Sequence, residues 1–290
     1  MLNGRFTIKI KPKQKSFTIL PLCDLHIDKR AFRKDNSKSV CDIRGVKIAL
    51  KEVRDNEDTY FFINGDLFED TNNTTRKRKA YQDGRMTVST LTTEDEDDMD
   101  FIDKHIAPLF KGISDKCMGV IMGNHFKIFS NGDTNIEYLC RKAGLPLLGM
   151  HSGFLRLNIF KNKSKCRKQD FWISHHTKTG NKKGNDLNKI QESSNVPIAD
   201  AYFYAHSHFL GCIMKPRPYL NKIGDAKVKY VPMIRGGGFR KSFSIDAKNC
   251  DYPEFYDGEI RPTGYIRFIV NVKIADQLKI SYEPQEVYIQ

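Results

Sequence analysis

Short continuous apolar runs recur along the chain, and each stops abruptly at polar residues. Phe17–Cys23 is followed by Asp24-Leu25-His26 and Tyr60–Asn64 by Gly65-Asp66. Met118–Met122 is followed by Gly123-Asn124-His125, Phe171–Ser174 by His175-His176, and Ala201–Ala205 by His206-Ser207-His208. Apolar runs of this length predict strands buried on both faces. Phe6 to Ile10 instead alternates apolar and basic residues, which predicts a half-buried edge strand.

Helical spacing lies between these runs. Val46, Ala49, Leu50 and Val53 share one face of a helix within Gly45–Asn56. Met99, Ile102, Ile106 and Leu109 give another face, opened by an acidic run at Glu94–Asp98. Thr93 and Glu96 predict its capping box, with the acids in the first turn where the helix dipole favours them. That explains the run better than a calcium loop, which needs a glycine turn and spaced ligands. Ile136, Leu139, Cys140 and Ala143 predict a third helix, stopped by Gly144. Leu145–Ile159 reads as strand and turn, and Lys227–Ile234, Tyr265–Val272 and Leu278–Tyr282 as further strands. The order predicts an α/β fold, with a mixed sheet or two stacked sheets and helices outside. Without a repeat or a linker, residues 1–290 read as a single domain. It has a surface excursion at 70–92 and a β-rich C-terminal part at 227–290.

Composition narrows the partners. The formal net charge of +13 favours anionic ones: phosphate esters, DNA or RNA, or an acidic surface. Basic runs occur at Arg76, Lys77, Arg78 and Lys79, at a hairpin tip in Lys161–Lys165, and at Lys178, Lys182 and Lys183 within the Gly-rich stretch Thr177–Gly184. The seven cysteines lack metal-site spacing and an even count, so a reducing compartment fits best. No run suits a membrane span or a secretory leader, so the chain reads as soluble and cytoplasmic.

Asp, Asn and His at five strand exits read as one site at the carboxyl edge of a sheet. Asp24, His26, Asp66, Asn124, one of His175 and His176, His206 and His208 are ligand types for Mn, Fe or Zn. Seven ligands exceed what one catalytic ion with open positions takes. They suit two ions, with Asp66 as the bridging carboxylate and a bridging water activated to hydroxide for attack on phosphorus. His206 and His208 are expected to face one side as alternate strand residues. His105 and His151 have no partner cluster.

In order, Asp24-Leu25-His26, Gly65-Asp66-Leu67-Phe68-Glu69, Gly123-Asn124-His125, His175-His176 and Ala205-His206-Ser207-His208 resemble the motifs of the calcineurin-like metallophosphoesterase superfamily. The resemblance spans Phe17 to His208 and implies a sandwich of two mixed β-sheets flanked by helices. It implies that Asp24, His26, Asp66 and His208 hold one divalent ion, most simply Mn. Asp66, Asn124, His175 (with His176 as the alternative) and His206 would hold the other. His125 would assist the leaving group, oriented by Glu69 as a dyad. Phe126 departs from the Asp or Glu of many members, and Ala205 from the usual glycine. The Asp-Arg-Gly of protein Ser/Thr phosphatases is absent, which argues against that activity. The chain looks closer to small bacterial or phage-type phosphoesterases, implying the cytoplasm of a bacterium or a phage-infected cell.

The favoured substrate is nucleic acid, cut by a phosphodiesterase or nuclease. The alternative is a small-molecule or cyclic nucleotide, and a metal-free binding scaffold is a third reading. The oligomeric state is left open.

Overall fold

The computed structural model turns the continuous apolar runs into the central strands of two stacked sheets. It describes residues 3–9, 14–69, 91–160, 166–175, 180, 182–193, 198–221, 223–241, 261–274 and 278–289. The described strands, in chain order, are β1 (Asn3–Lys9), β2 (Ser16–Cys23), β3 (Thr59–Asn64), β4 (Cys117–Ile121), β5 (Leu147–Gly149) and β6 (Ser152–Phe160). They continue with β7 (Cys166–Ser174), β8 (Ala201–Tyr204), β9 (Leu210–Leu220), β10 (Ala226–Gly238), β11 (Gly264–Ile274) and β12 (Leu278–Tyr288). The α-helices are α1 (Ile43–Asp55), α2 (Thr93–Phe101), α3 (Asn135–Ala143) and α4 (Lys183–Ser193).

One sheet runs β5-β4-β3-β2-β11-β12, with β2 to β5 parallel and β11 and β12 antiparallel. The other runs β1-β6-β7-β8-β10-β9, with β7, β8 and β10 parallel. The two join where Gly237 and Gly238 of β10 pair with Tyr265 and Gly264 of β11. This is the expected mixed α/β sandwich with helices outside.

Alternation on β2 shows why the runs are continuous. Phe17 and Ile19 point between the sheets, while Leu20 and Leu22 point to the helices. Between the sheets Phe62 meets Phe203 edge-on at 5.0 Å, and Phe203 meets Phe268 at the same separation. Each fully buried ring or aliphatic chain contributes about 1.5–3 kcal/mol by leaving water. Outside the first sheet, Val46, Ala49, Leu50 and Val53 of α1 and Ile136 and Leu139 of α3 belong to one buried cluster with the outer face of that sheet. Outside the second, Ile190 of α4 covers Tyr202, Tyr204 and Met233.

Several expectations shift. The capping box forms at Thr92 and Asp95, one residue before the Thr93–Glu96 pair, because Thr92 is the residue with extended backbone. The regular helix through Leu109 does not form: α2 passes into a π-helical turn at Ile102–Ile106 and a 3₁₀ turn at Ala107–Phe110. The slip buries Ile102, Ile106 and Phe110. Two elements carry no forecast at all, β9 and α4. Arg76, Lys77, Arg78, Lys79, His176 and Lys178 lie outside the described residues, as does the basic tip at 161–165. Of the 70–92 excursion only Leu91 and Thr92 are described. No helix among the described residues is long and apolar enough to cross a membrane.

Candidate metal centre

The carboxyl ends of β2, β3 and β4 from one sheet and of β7 and β8 from the other converge on one pocket of His, Asp and Asn side chains. Five non-glycine residues have positive φ among the described residues: Asp24 (49°), His26 (47°), Asp66 (46°), His206 (75°) and His208 (60°). Such backbone is uncommon outside glycine, though Asp and His adopt it more readily than most, and it persists where surrounding structure over-determines it. It bends the chain as each strand ends and turns the side chains inward. His206 and His208 are therefore not alternate strand residues, as expected, since β8 ends at Tyr204.

Glycines complete the bends. Gly65 has φ 79°, and a Cβ there would lie 2.0 Å from His175 Nδ1. Gly123 has φ 86°, and its Cβ would lie 2.3 Å from Asp66 Oδ1.

Asp66 sits at the centre. Its Oδ1 accepts the backbone N–H groups of Asn124 and His125 at 2.7 and 2.8 Å. Its Oδ2 lies 3.0 Å from His175 Nε2, 4.0 Å from His26 Nε2 and 3.9 Å from His125 Nε2. Asp24 accepts the N–H of His206 on Oδ2 at 2.9 Å, and its Oδ1 lies 3.6 Å from His208 Nε2. Asn124 Oδ1 is 3.0 Å from His175 Nε2. Candidate ligating atoms fall within 4.8 Å of one another in three groups: Asp24, His26 and His208; Asp66, His175 and His206; and His26, Glu69 and His125.

Glu69 takes a different partner from the expected one. Its Oε2 meets His26 Nδ1, while His125 Nδ1 stands 3.8 Å away, beyond hydrogen-bond reach. A carboxylate accepts only, so Nδ1 of His26 carries the proton of this bond and Nε2 is the ring nitrogen turned into the pocket. Arg240 Nη1 backs Glu69 at 3.3 Å. Phe126 lies in the apolar core. Lys182 is exposed at the start of α4, and Lys183 pairs with Glu286 at 3.3 Å.

Charge is sorted within the pocket. Burial pushes Asp24 up to about 6, with Asp66 adding to it. Burial also opposes charge on Asp66, but the His175 ring 3.0 Å away outweighs it and holds that carboxyl well below its usual range. Burial lowers His125, His206 (to about 4) and His208, which keeps those rings neutral and their lone pairs free.

The residues present fit divalent metal. Asp24 Oδ1 and His26 Nε2 are buried without a hydrogen-bond partner, 3.9 Å apart. Buried polar atoms are rarely left so. Ligands bonded to one such ion at about 2.0–2.2 Å stand roughly 3–4 Å from each other, which is the spacing here.

A buried ion pair supports this pocket and had no forecast. Arg235 Nε meets Asp186 Oδ2 at 2.6 Å, and Arg235 Nη1 donates to Ala205 O at 2.6 Å. Asp186 Oδ2 also accepts the hydroxyl of Ser207, the residue between His206 and His208. Beside Glu69 opens a cleft of about 280 Å³, bordered by Asp28, Lys29, Phe68, Asp98 and Lys127.

No protein-family model matches the chain, and no curated protein matches it. Among solved structures it is similar to a conserved uncharacterized protein from Streptococcus pneumoniae TIGR4, described as a predicted phosphoesterase. That likeness is at 14% identity and TM-score 0.31, covering 94% of this chain and 98% of that one. Vps29 of Chaetomium thermophilum is similar at 10% identity and TM-score 0.33, over 94% and 98% of the two chains. Wild-type Vps29 of Entamoeba histolytica complexed with zinc is similar at 9% and 0.35, over 93% and 99%. Likeness at these scores decides neither family nor activity.

Proposed function

We propose that this chain is a metal-dependent phosphoesterase of the calcineurin-like type. The observation that carries the reading is the pair of buried, unpartnered donors, Asp24 Oδ1 and His26 Nε2, inside a pocket of matching ligand types. In this reading Asp24, His26, Asp66 and His208 hold one divalent ion, and Asp66, Asn124, His175 and His206 hold a second. Asp66 Oδ2 lies between His26 and His175, which supports its role as the shared carboxylate. When bound, two such ions supply positive charge to neutralise a phosphate ester and acidify a water for attack on phosphorus.

The chain's own residues do the rest. Oδ1 of Asp66, fixed by two backbone N–H groups, leaves only Oδ2 facing the pocket. Glu69 orients His26. His125, half-buried and neutral, donates a hydrogen bond to the leaving oxygen.

Nucleic acid is the substrate class we favour, because a charge of +13 draws a polyanion. A small nucleotide is the second reading, since the same pocket of Asp, Asn and His serves a phosphate ester of either size.

The test is a Mn²⁺-supplemented panel: a chromogenic monoester, a chromogenic diester, cyclic nucleotides, and single- and double-stranded DNA and RNA. The expected result is metal-dependent hydrolysis, strongest on diesters, abolished in Asp66→Asn and cut steeply in His125→Ala. Full activity in Asp66→Asn overturns the mechanism. Protein that takes up no stoichiometric metal and cleaves nothing returns the chain to a binding scaffold. For nucleic acid, affinity falls steeply with added salt; for a small nucleotide it does not.

A further inference from the structure

The hairpin of β9 and β10 carries its residues inverted for a protein surface. Its register pairs Leu220 with Ala226, Pro218 with Val228 and Pro216 with Tyr230. Residues directly opposite share a face, and with Met214 these form one face without a charge. The intervening positions, Lys215, Arg217, Tyr219, Lys227, Lys229 and Val231, form the other, on which Tyr219 and Lys227 near the turn stay exposed. Its inner part, Lys215, Arg217 and Lys229, turns toward the body. Arg217 Nη1 donates to Ala199 O at 3.1 Å, Lys215 Nζ donates to Gln191 O at 3.2 Å, and Lys229 pairs with Asp200. The uncharged face turns to solvent: Met214 is 44% exposed, Leu220 70%, Val228 56% and Tyr230 60%, with Ile223 at the turn 83% exposed. Scattered apolar residues on a surface are ordinary, but a contiguous face is an interaction site.

We propose that this face is the contact through which two copies of the chain pair. Charge is the first reason. Two copies at +13 repel each other generally, and a face without charge is where they can approach. The same lack of cations gives an anionic partner nothing to bind. Area is the second. With Ile223 at the turn these residues are 44–83% exposed, and a two-fold contact that covers them on both copies reaches the small end of specific interfaces, about 1,000 Å² in total. Strand chemistry is the third. Pro216 and Pro218 take two donors from β9, and an edge strand tolerates such losses on its outer side. Edge-to-edge strand addition is thereby blocked, and contact goes face to face. A face that matches itself closes after two copies and leaves no open end.

Sedimentation equilibrium of the full chain tests this, with Val228→Glu and Tyr230→Glu as variants. Both positions are exposed, so thermal unfolding confirms that each variant is folded. The expected result is a dimer at micromolar concentration whose association weakens at least tenfold in either variant, with the melting temperature of the variant monomers matching that of dissociated wild type. A wild type that stays monomeric at the highest concentration overturns the proposal, as does a dimer indifferent to both substitutions. Vesicles of neutral and anionic phospholipid provide the second arm. A monomer that sediments with vesicles through this face, and is released by Val228→Glu, overturns the second copy in favour of a lipid surface.

Discussion

The Glu69 carboxylate receives the Nδ1–H of His26, while His125 Nδ1 stands 3.8 Å from the same oxygen. A carboxylate behind a histidine fixes which ring nitrogen faces a metal and raises its basicity, and loss of such support costs about 10–100-fold in metal affinity. Glu69→Gln is therefore expected to weaken Mn²⁺ binding by that factor in a calorimetric titration. If binding is unchanged and only substrates with poor leaving groups slow down, Glu69 acts through His125 instead.

Gly65 has no room for a side chain. A Cβ at its φ of 79° would sit inside the His175 ring, 2.0 Å from Nδ1. Gly65→Ala is expected to displace His175, lower metal affinity and cost roughly 1–3 kcal/mol through backbone strain. Urea unfolding of the metal-free chain measures the strain, and metal titration measures the displacement.

Arg235 and Asp186 are 1% and 0% exposed, so removing one leaves the other charged and buried. Arg235→Met is expected to cost about 3–5 kcal/mol in urea unfolding. Arg235→Met combined with Asp186→Leu is expected to recover much of that loss, since no lone charge remains. Metal affinity is expected to stay low in the double variant, because Ser207 and Ala205 lose their partners.

Asp95 gives a pH-dependent stability. Burial disfavours its charge, but hydrogen bonds from Ser130 and Thr92 outweigh that and lower its pKa. A lowered carboxylate stabilises the fold above its unfolded value of about 3.9, and that contribution is lost as pH falls toward the folded value. Asp95→Ala is expected to be less stable by about 1–3 kcal/mol at neutral pH, from the lost cap and the lost hydrogen bonds of Asp95 with Ser130 and Thr92. The gap to wild type is expected to narrow as pH drops below about 4 in paired urea titrations.

The strand exits were legible because β2, β3 and β4 are buried on both faces, which forces continuous apolar runs with sharp ends. The helices α1 and α3 were legible because one face of each meets the sheet. Histidine favours left-handed backbone only weakly, so residue type did not mark the bends at His206 and His208 and strand alternation was the natural expectation there. Thr92 and Thr93 are chemically equivalent as caps, and only the backbone distinguishes them. Helix α4 offers little more than Leu187 and Ile190 as an apolar face, too sparse for a periodic signal. Pro216 and Pro218 speak against a strand, and only an edge position permits β9. Arg235 and Asp186 are 49 residues apart, and no local pattern marks a pair joined only by the fold. Glu69 was found, but two histidines stand within reach of one carboxylate, and only their distances separate them.

The hydrogen bond from the His206 backbone to Asp24 crosses 182 residues and two sheets. A pocket closed by such a bond does not exist in any early fragment of the chain. A fragment ending at His125 holds Asp24, His26, Asp66 and Asn124 but none of the histidines of the second sheet. Contacts this distant in sequence form late, after the loops between them have closed. Under the proposed reading, the full ligand set exists only where the two sheets have met, so metal affinity reports on the joined sandwich and not on either half.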